Sequence, residues 1–148
     1  MRIERASAAY RDAWLALRIA LWPDEGVAAM AEEIDAILAD GDGGKLVWLA
    51  LDESGVVGFA EATIRHDYVN GCETSPVAFL EGIYVAPHSR RQSVGGQLNQ
   101  AVIAWAQIRG CCEYASDALL DNRSSHAFHT ALGFVETERV VYFRRVLA

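Results

Sequence analysis

The 148-residue chain has little of what staples a fold, anchors it in a membrane or grips a polyanion. Its three cysteines, Cys72, Cys111 and Cys112, form no CxxC pair and leave an odd thiol in any pairing scheme, so free thiols in a reducing compartment are expected. The longest apolar run, residues 46–51, is too short to cross a bilayer, which predicts no membrane partner. Met1-Arg2-Ile3-Glu4-Arg5 leads into a mixed-charge segment without a signal-like apolar stretch or cleavage site, and a cytoplasmic protein is expected. Positive charge is scarce: 13 Lys and Arg against 20 Asp and Glu give a net charge of −7. Binding to a phosphate backbone rests on cationic side chains, so this balance argues against nucleic acid and suits a cationic partner. His126-x-x-His129 has no acidic or Cys ligand at a matching spacing, and no metal site is expected. There is no internal repeat, linker or low-complexity tract, so residues 1–148 are expected to form one domain.

Alternation and periodicity supply the elements. Residues 2–5 suit a short strand; from Ser7, a candidate N-cap, Tyr10, Trp14, Leu17 and Leu21 recur on one helical face. Pro23 and Gly26 interrupt, and Val27, Met30, Ile34, Ile37 and Leu38 mark a second helix. Gly41-Asp42-Gly43-Gly44 breaks the chain before a hairpin of strands 46–51 and 56–65, in which Glu61, Thr63 and Arg65 alternate with Ala60, Ala62 and Ile64 to make one polar face. A polar loop (66–76) precedes strand 77–85, which Pro87 stops. Val94, Leu98, Ala101, Val102 and Trp105 predict a long helix to residue 109, followed by a strand (111–116), a helix from Asp121 or Asn122 to Leu132, and a last strand carrying Val140, Val141, Tyr142 and Phe143. Trp14, Trp48 and Trp105 fall on apolar faces and are expected in the core. The order implies an α/β fold with a central mixed β-sheet flanked by helices.

Chemistry concentrates where strand 77–85 runs through a small, basic loop into the long helix. A helix N-terminus presents unpaired N–H groups and a positive dipole end; Arg90 and Arg91 add charge, and Gly95 and Gly96 let a ligand approach the backbone. This is neither a Walker A loop, since no Gly-Lys-Ser/Thr is present, nor a GxGxxG fingerprint.

The words Leu80-Glu81-Gly82-Ile83-Tyr84-Val85-Ala86-Pro87 and Arg90-Arg91-Gln92-Ser93-Val94-Gly95-Gly96-Gln97-Leu98 resemble the acyl-CoA-binding motif of the GNAT superfamily of N-acetyltransferases, and Asn122 with Ala131-Leu132-Gly133-Phe134 resembles its closing words. The resemblance extends to the aminoglycoside 6'-N-acetyltransferases through Leu21-Trp22-Pro23, Thr63-Ile64-Arg65, His66 to Gly71, Thr74 to Val77, Ala115-Ser116-Asp117 and Glu136 to Val140. It implies a single-domain GNAT-like fold, acetyl-CoA as co-substrate, an aminoglycoside as acceptor, and direct attack of the 6'-amine on the thioester without a covalent enzyme intermediate. It also implies that the backbone of Ile83, Tyr84 and Val85 pairs with the pantetheine arm at a bulge, one N–H polarising the thioester carbonyl, a contribution of about 3 kcal/mol when aligned. By the same resemblance the amides of Arg91, Gln92, Ser93, Val94, Gly95 and Gly96 hold the pyrophosphate, and Asn122 contacts the pantetheine arm. Ser93 stands where the motif usually has its first glycine. Many relatives place a proton-donating tyrosine four residues before the Gly-Phe word; that position here is His129.

The attacking amine arrives as an ammonium and must lose a proton, which a carboxylate can accept directly or through water. Glu81 is the first candidate: two residues before Ile83, it should share that side chain's face. Asp117, ending the neighbouring strand, is the second. A polycationic sugar calls for further acids and rings, for which Glu138, Glu25, Trp22 and Tyr68 are candidates; Glu136 reads as a rim charge, and Arg65, His66 and Arg139 serve equally as ion-pair partners or ligands. Acidic residues fit any cationic amine, so a polyamine or peptide acetyltransferase is the alternative, and a non-catalytic acyl-CoA-binding module is another. The final strand would leave an exposed edge suited to a homodimer.

Overall fold

In the computed structural model, which describes residues 1–148, the chain divides into two compact units, Met1–Asp117 and Ala118–Ala148. The first holds a five-stranded sheet in the order β1 (Arg2–Arg5), β2 (Leu46–Asp52), β3 (Gly55–Arg65), β4 (Val77–Val85), β5 (Glu113–Ser116). The first four strands pair antiparallel and β5 joins β4 in parallel, a mixed sheet. Its helices are α1 (Arg11–Leu21), α2 (Val27–Asp40) and α3 (Val94–Ile108).

Strand β2 is buried from Leu46 to Leu51 because both its faces are covered. Val47, Leu49 and Leu51 meet Trp14 of α1 and Ile34 of α2, together with Phe59 of β3. On the opposite face Trp48 packs edge-on against Trp105 of α3, ring centroids 5.4 Å apart. Such edge-to-face pairs add to the burial of apolar area. All three tryptophans thus lie where their periodicity predicts.

Three local differences have physical causes. Ser7 heads a short 3-10 turn, Ala8–Tyr10, with no side-chain cap bond, and the α-helix proper begins at Arg11. The expected strand at 111–116 pairs only from Glu113, since parallel bonding to β4 runs from Val77↔Glu113 to Leu80↔Ser116. The polar face of β3 is graded: Glu61 is fully buried, Thr63 half-buried and Arg65 exposed.

The second unit contains α4 (Arg123–Ala131), capped by Asn122. The expected last strand does not form; residues 132–148 carry no regular structure beyond the turn at Gly133, and Tyr142 and Phe143 are 80% and 92% exposed. A run of β-branched and aromatic residues marks a segment able to pair, but a strand exists only once another strand supplies the ladder bonds.

Candidate functional site

The register between β3 and β4 slips once. Glu61 faces Gly82 and Ala62 faces Leu80, which leaves Glu81 as the extra residue of a bulge on β4. A bulge puts two consecutive side-chain positions on one face and sharpens the local twist. Glu81 reaches Thr63, and a Cβ on Gly82 would lie 2.6 Å from the Trp22 ring, so both residues face α1. Tyr84 packs against the cluster around Trp14 and Phe59 on that face, and alternation then turns Ile83 to the other. Glu81 and Ile83 therefore do not share a face: the bulge shifts the period by one. It puts Glu81 on the face where its neighbour Gly82 meets the Trp22 ring.

Past Leu80 and Ser116 the parallel ladder stops, so the β5-side edge of β4 from Glu81 to Val85 has no strand partner. That edge, with the residues Ile83, Tyr84 and Val85, is open to another extended backbone-like group.

The Glu81 carboxylate is half-buried and engaged. Oε1 accepts from Thr63 Oγ1 at 2.7 Å and from Arg65 Nη2 at 3.0 Å, and Oε2 lies 3.2 Å from the same Nη2. Arg65 also stacks over Phe79, its guanidinium carbon 3.5 Å from the ring centroid. A cation already sits on the carboxylate first expected to receive an ammonium. Glu25 is exposed, its amide bonded to the Trp22 carbonyl at 3.2 Å in the turn between α1 and α2. Tyr68 is 76% exposed in the loop between β3 and β4. That loop is pinned from β5: Glu113 accepts from the amides of Glu73 (2.8 Å) and Thr74 (2.7 Å) and from the Thr74 hydroxyl. Those bonds, led by the Thr74 hydroxyl, hold the Glu113 carboxyl below its usual value. Asp117 follows β5 and is exposed.

Beyond β4, Arg90 Nε donates to the Val85 carbonyl at 2.9 Å and its guanidinium lies over Tyr84, so Arg90 ties the loop down. Arg91 and Gln92 are exposed. Arg91 and Ser93 both occupy the left-handed region, with φ of 62° and 63°. For Ser93 this is the conformation that the motif's glycine would adopt without a clash, and it carries a steric cost of about 1–2 kcal/mol. Ser93 makes no side-chain cap, and the first bond of α3 is Gln97 N to Ser93 O at 3.0 Å, so the amides of Val94, Gly95 and Gly96 lie outside the helical ladder. A Cβ on Gly96 would meet nothing within 4 Å. An uncapped helix start, left-handed residues ahead of it, an exposed arginine and open space over glycine fit a diphosphate.

In the second unit, Asn122 Oδ1 accepts from Ser125 N at 3.2 Å and Ser124 Oγ at 3.1 Å, which commits the oxygen to capping α4 and gives Nδ2 as the group to offer a ligand. His129 Nδ1 lies 2.7 Å from the Ser125 carbonyl. The Ser125 hydroxyl also lies 3.3 Å from Nδ1, so that nitrogen has a partner in either tautomer. The ring packs on Phe134 at 5.3 Å. Glu136 pairs with Arg139, as expected of a rim charge, and Glu138 is exposed.

What the sequence reading missed lies beneath Trp22. Arg18 of α1 and Glu61 of β3 are both buried, with Nε 2.9 Å from Oε2, off the hydrogen-bond line, and Nη2 donating to Oε1 at 3.2 Å. Trp14 Nε1 donates to Oε2 at 2.9 Å. Lys45, the only lysine, lies 3.5 Å from Oε1 and bonds Glu33, which also pairs with Arg18. Burial pushes the Glu61 carboxyl up, against the pull of Arg18 and Lys45. Position 18 is one turn after Trp14 on the buried stripe of α1, which is the sequence signal of a buried cation.

Comparison with known proteins places this arrangement in a family. The profile of the acetyltransferase (GNAT) family matches residues 7–134. The aminoglycoside N(6')-acetyltransferase type 1 of Acinetobacter genomosp. 13 is 52% identical over 132 residues, 89% of each chain. The crystal structure of an aminoglycoside antibiotic 6'-N-acetyltransferase from Acinetobacter haemolyticus superposes with a TM-score of 0.94 at 46% identity, covering 100% of both chains. AAC(6')-Iy, solved with the bisubstrate analogue CoA-S-monomethyl-acetylneamine, superposes at 0.90 with 42% identity, covering 99% of this chain and 98% of the other. The chain belongs to the acetyltransferase (GNAT) family, alongside the type 1 aminoglycoside N(6')-acetyltransferases.

Proposed function

We propose that this protein transfers the acetyl group of acetyl-CoA to the 6'-amino group of aminoglycosides, by direct attack. The observation that carries this reading is the bulge at Glu81: it sets an acid and the Trp22 ring on one face of β4 while leaving the strand's outer edge unpaired. The identity of 52% to a named aminoglycoside acetyltransferase supports the acceptor class. Acetyl-CoA supplies an activated two-carbon unit as a thioester. The amides of Val94, Gly95 and Gly96, with those of Arg91, Gln92 and Ser93, hold its diphosphate, and the backbone of Ile83, Tyr84 and Val85 lines the thioester arm. One of those N–H groups takes the charge that develops on the carbonyl oxygen. Glu81, with Asp117 as the second carboxylate, takes the proton of the substrate ammonium directly or through water; the amine nitrogen bonds to the carbonyl carbon, and the C–S bond breaks. Trp22, Tyr68, Glu25 and Glu138 contact the polycationic acceptor. By resemblance Asn122 serves the pantetheine arm, and His129 gives a proton to the departing thiolate.

Residues 1–148 form one acetyltransferase domain on this reading, supported by a family match that runs through the boundary at residue 117. The protein works in the cytoplasm, where acetyl-CoA is found. It acts as a homodimer, supported by the exposed apolar residues Val140, Val141, Tyr142, Phe143, Val146 and Leu147, a segment that lacks a strand partner. Free thiol followed in the presence of acetyl-CoA tests the function: release with kanamycin is expected, whereas release only with spermidine or a peptide amine would move the acceptor class, and binding without release would remove the activity.

A further inference from the structure

The proposed function makes no use of the buried charges under α1, and stability alone does not account for them. A buried ion pair gains little over well-packed apolar residues of the same volume, because both ions give up hydration. Arg18 does more than face Glu61. Its guanidinium carbon lies 5.0 Å from the centroid of Trp22, and its carbonyl accepts from the Trp22 amide at 2.8 Å. The indole is bounded elsewhere by Phe59, edge-on at 6.1 Å, and by Gly82, where no side chain would fit. Glu61 stands opposite Gly82 in the ladder, so the carboxylate that orients Arg18 and the glycine under the ring are register partners. The planar guanidinium is held from several sides, by Glu61, by Glu33 and by the Met30 carbonyl at 3.4 Å from Nη1.

We propose that the Arg18–Glu61 pair is a positioning device for the acceptor site: it fixes the Trp22 ring against Gly82, beside Glu81, and so sets affinity for the aminoglycoside without touching acetyl-CoA. Arg18 and Glu61 contact neither substrate and act through Trp22. The inference rests on the placing of Trp22 in the acceptor site under the proposed function.

The test uses Arg18→Gln/Glu61→Gln, which removes both charges together, and Arg18→Lys, which keeps the charge but loses the plane. The full chain is labelled with 5-fluorotryptophan, the Trp22 resonance being the one that disappears in Trp22→Phe. In variants shown to be folded by thermal melting, the Trp22 fluorine signal should shift or broaden while those of Trp48 and Trp105 stay. KM for kanamycin should rise about tenfold, with KM for acetyl-CoA changed less than about twofold. If the double variant does not fold, Arg18→Lys carries the test with the same expected split. An unmoved Trp22 signal, or a moved signal with kanamycin KM unchanged, overturns the proposal. Trp22→Ala distinguishes the two readings: unchanged kanamycin KM there removes Trp22 from the acceptor site, while the fluorine signal still decides whether the pair holds the ring.

Discussion

The proposed donor loop follows the end of β4, the proposed acceptor face is built at its bulge, and the two rest on opposite principles. From Arg91 to Gly96 the groups proposed to bind are backbone amides, free of the helical ladder at Val94, Gly95 and Gly96. From Trp22 to Glu81 they are side chains, each held by a neighbour: Glu81 by Thr63 and Arg65, Trp22 by Arg18, Arg18 by Glu61. A group common to every reaction, such as a diphosphate, can be held by backbone that any sequence supplies. A variable polycation needs placed charge, and placed charge in a protein interior needs partners.

This contrast predicts a graded series of effects. Glu61→Ala strands a buried guanidinium and should lower unfolding free energy by about 3–5 kcal/mol in a denaturant titration, whereas Ser93→Ala, on the exposed loop, should cost well under that. Equal losses at the two positions would break the distinction. Glu81→Gln should lower kcat/KM for kanamycin by about a hundredfold with acetyl-CoA affinity unchanged, since it removes a proton acceptor and one acceptor-face charge. Wild-type kinetics would take Glu81 out of the site. Ser93→Gly relieves a left-handed serine and should raise stability by about 0.5–1 kcal/mol, Gly giving back part of the gain in chain entropy; calorimetry of acetyl-CoA binding should show equal or tighter affinity. Arg65→Met frees Glu81 of its resident cation and should lower kanamycin KM by about two- to fivefold, the size of a partly exposed ion pair.

The smallest effect concerns the Tyr68 loop. Folding holds the Glu113 carboxyl below its ordinary value, so its contribution is complete above the unfolded pKa and is lost as pH falls through the lower folded one. The acid limb of a stability–pH profile should therefore flatten in Glu113→Gln, while stability near neutral pH drops slightly; a profile identical to wild type would detach the loop from β5.

Much of this was readable before any coordinates. The apolar run 46–51, the alternation within 56–65, the stripe of the long helix and the turn at Gly41-Asp42-Gly43-Gly44 are local signals, and the corresponding elements form within a few residues of their expected ends. The loop at Arg90 to Gly96 was legible because helix starts and glycines act through the chain's own backbone. Three things were not. The bulge at Glu81 arises from pairing between strands separated by a loop, so strict alternation along β4 put Glu81 on the wrong face. The burial of Glu61 within the polar face of β3 was not legible, since its partner lies 43 residues away on α1. The final strand rests on the apolar run Val140 to Phe143 alone, and an apolar run does not supply a neighbour.

The order of residues was enough to determine most of the segments that form helix and strand, the uncapped glycine-rich start of α3 and the kinship with acetyltransferases, because propensity, periodicity and motif are properties of contiguous chain. Tertiary structure alone decided which acids meet which cations: it placed Arg65 on Glu81, Arg18 on Glu61 and Trp22 on Gly82. Electrostatic and packing contacts depend on distance in space, and a single slip of register in β4 is sufficient to reassign them.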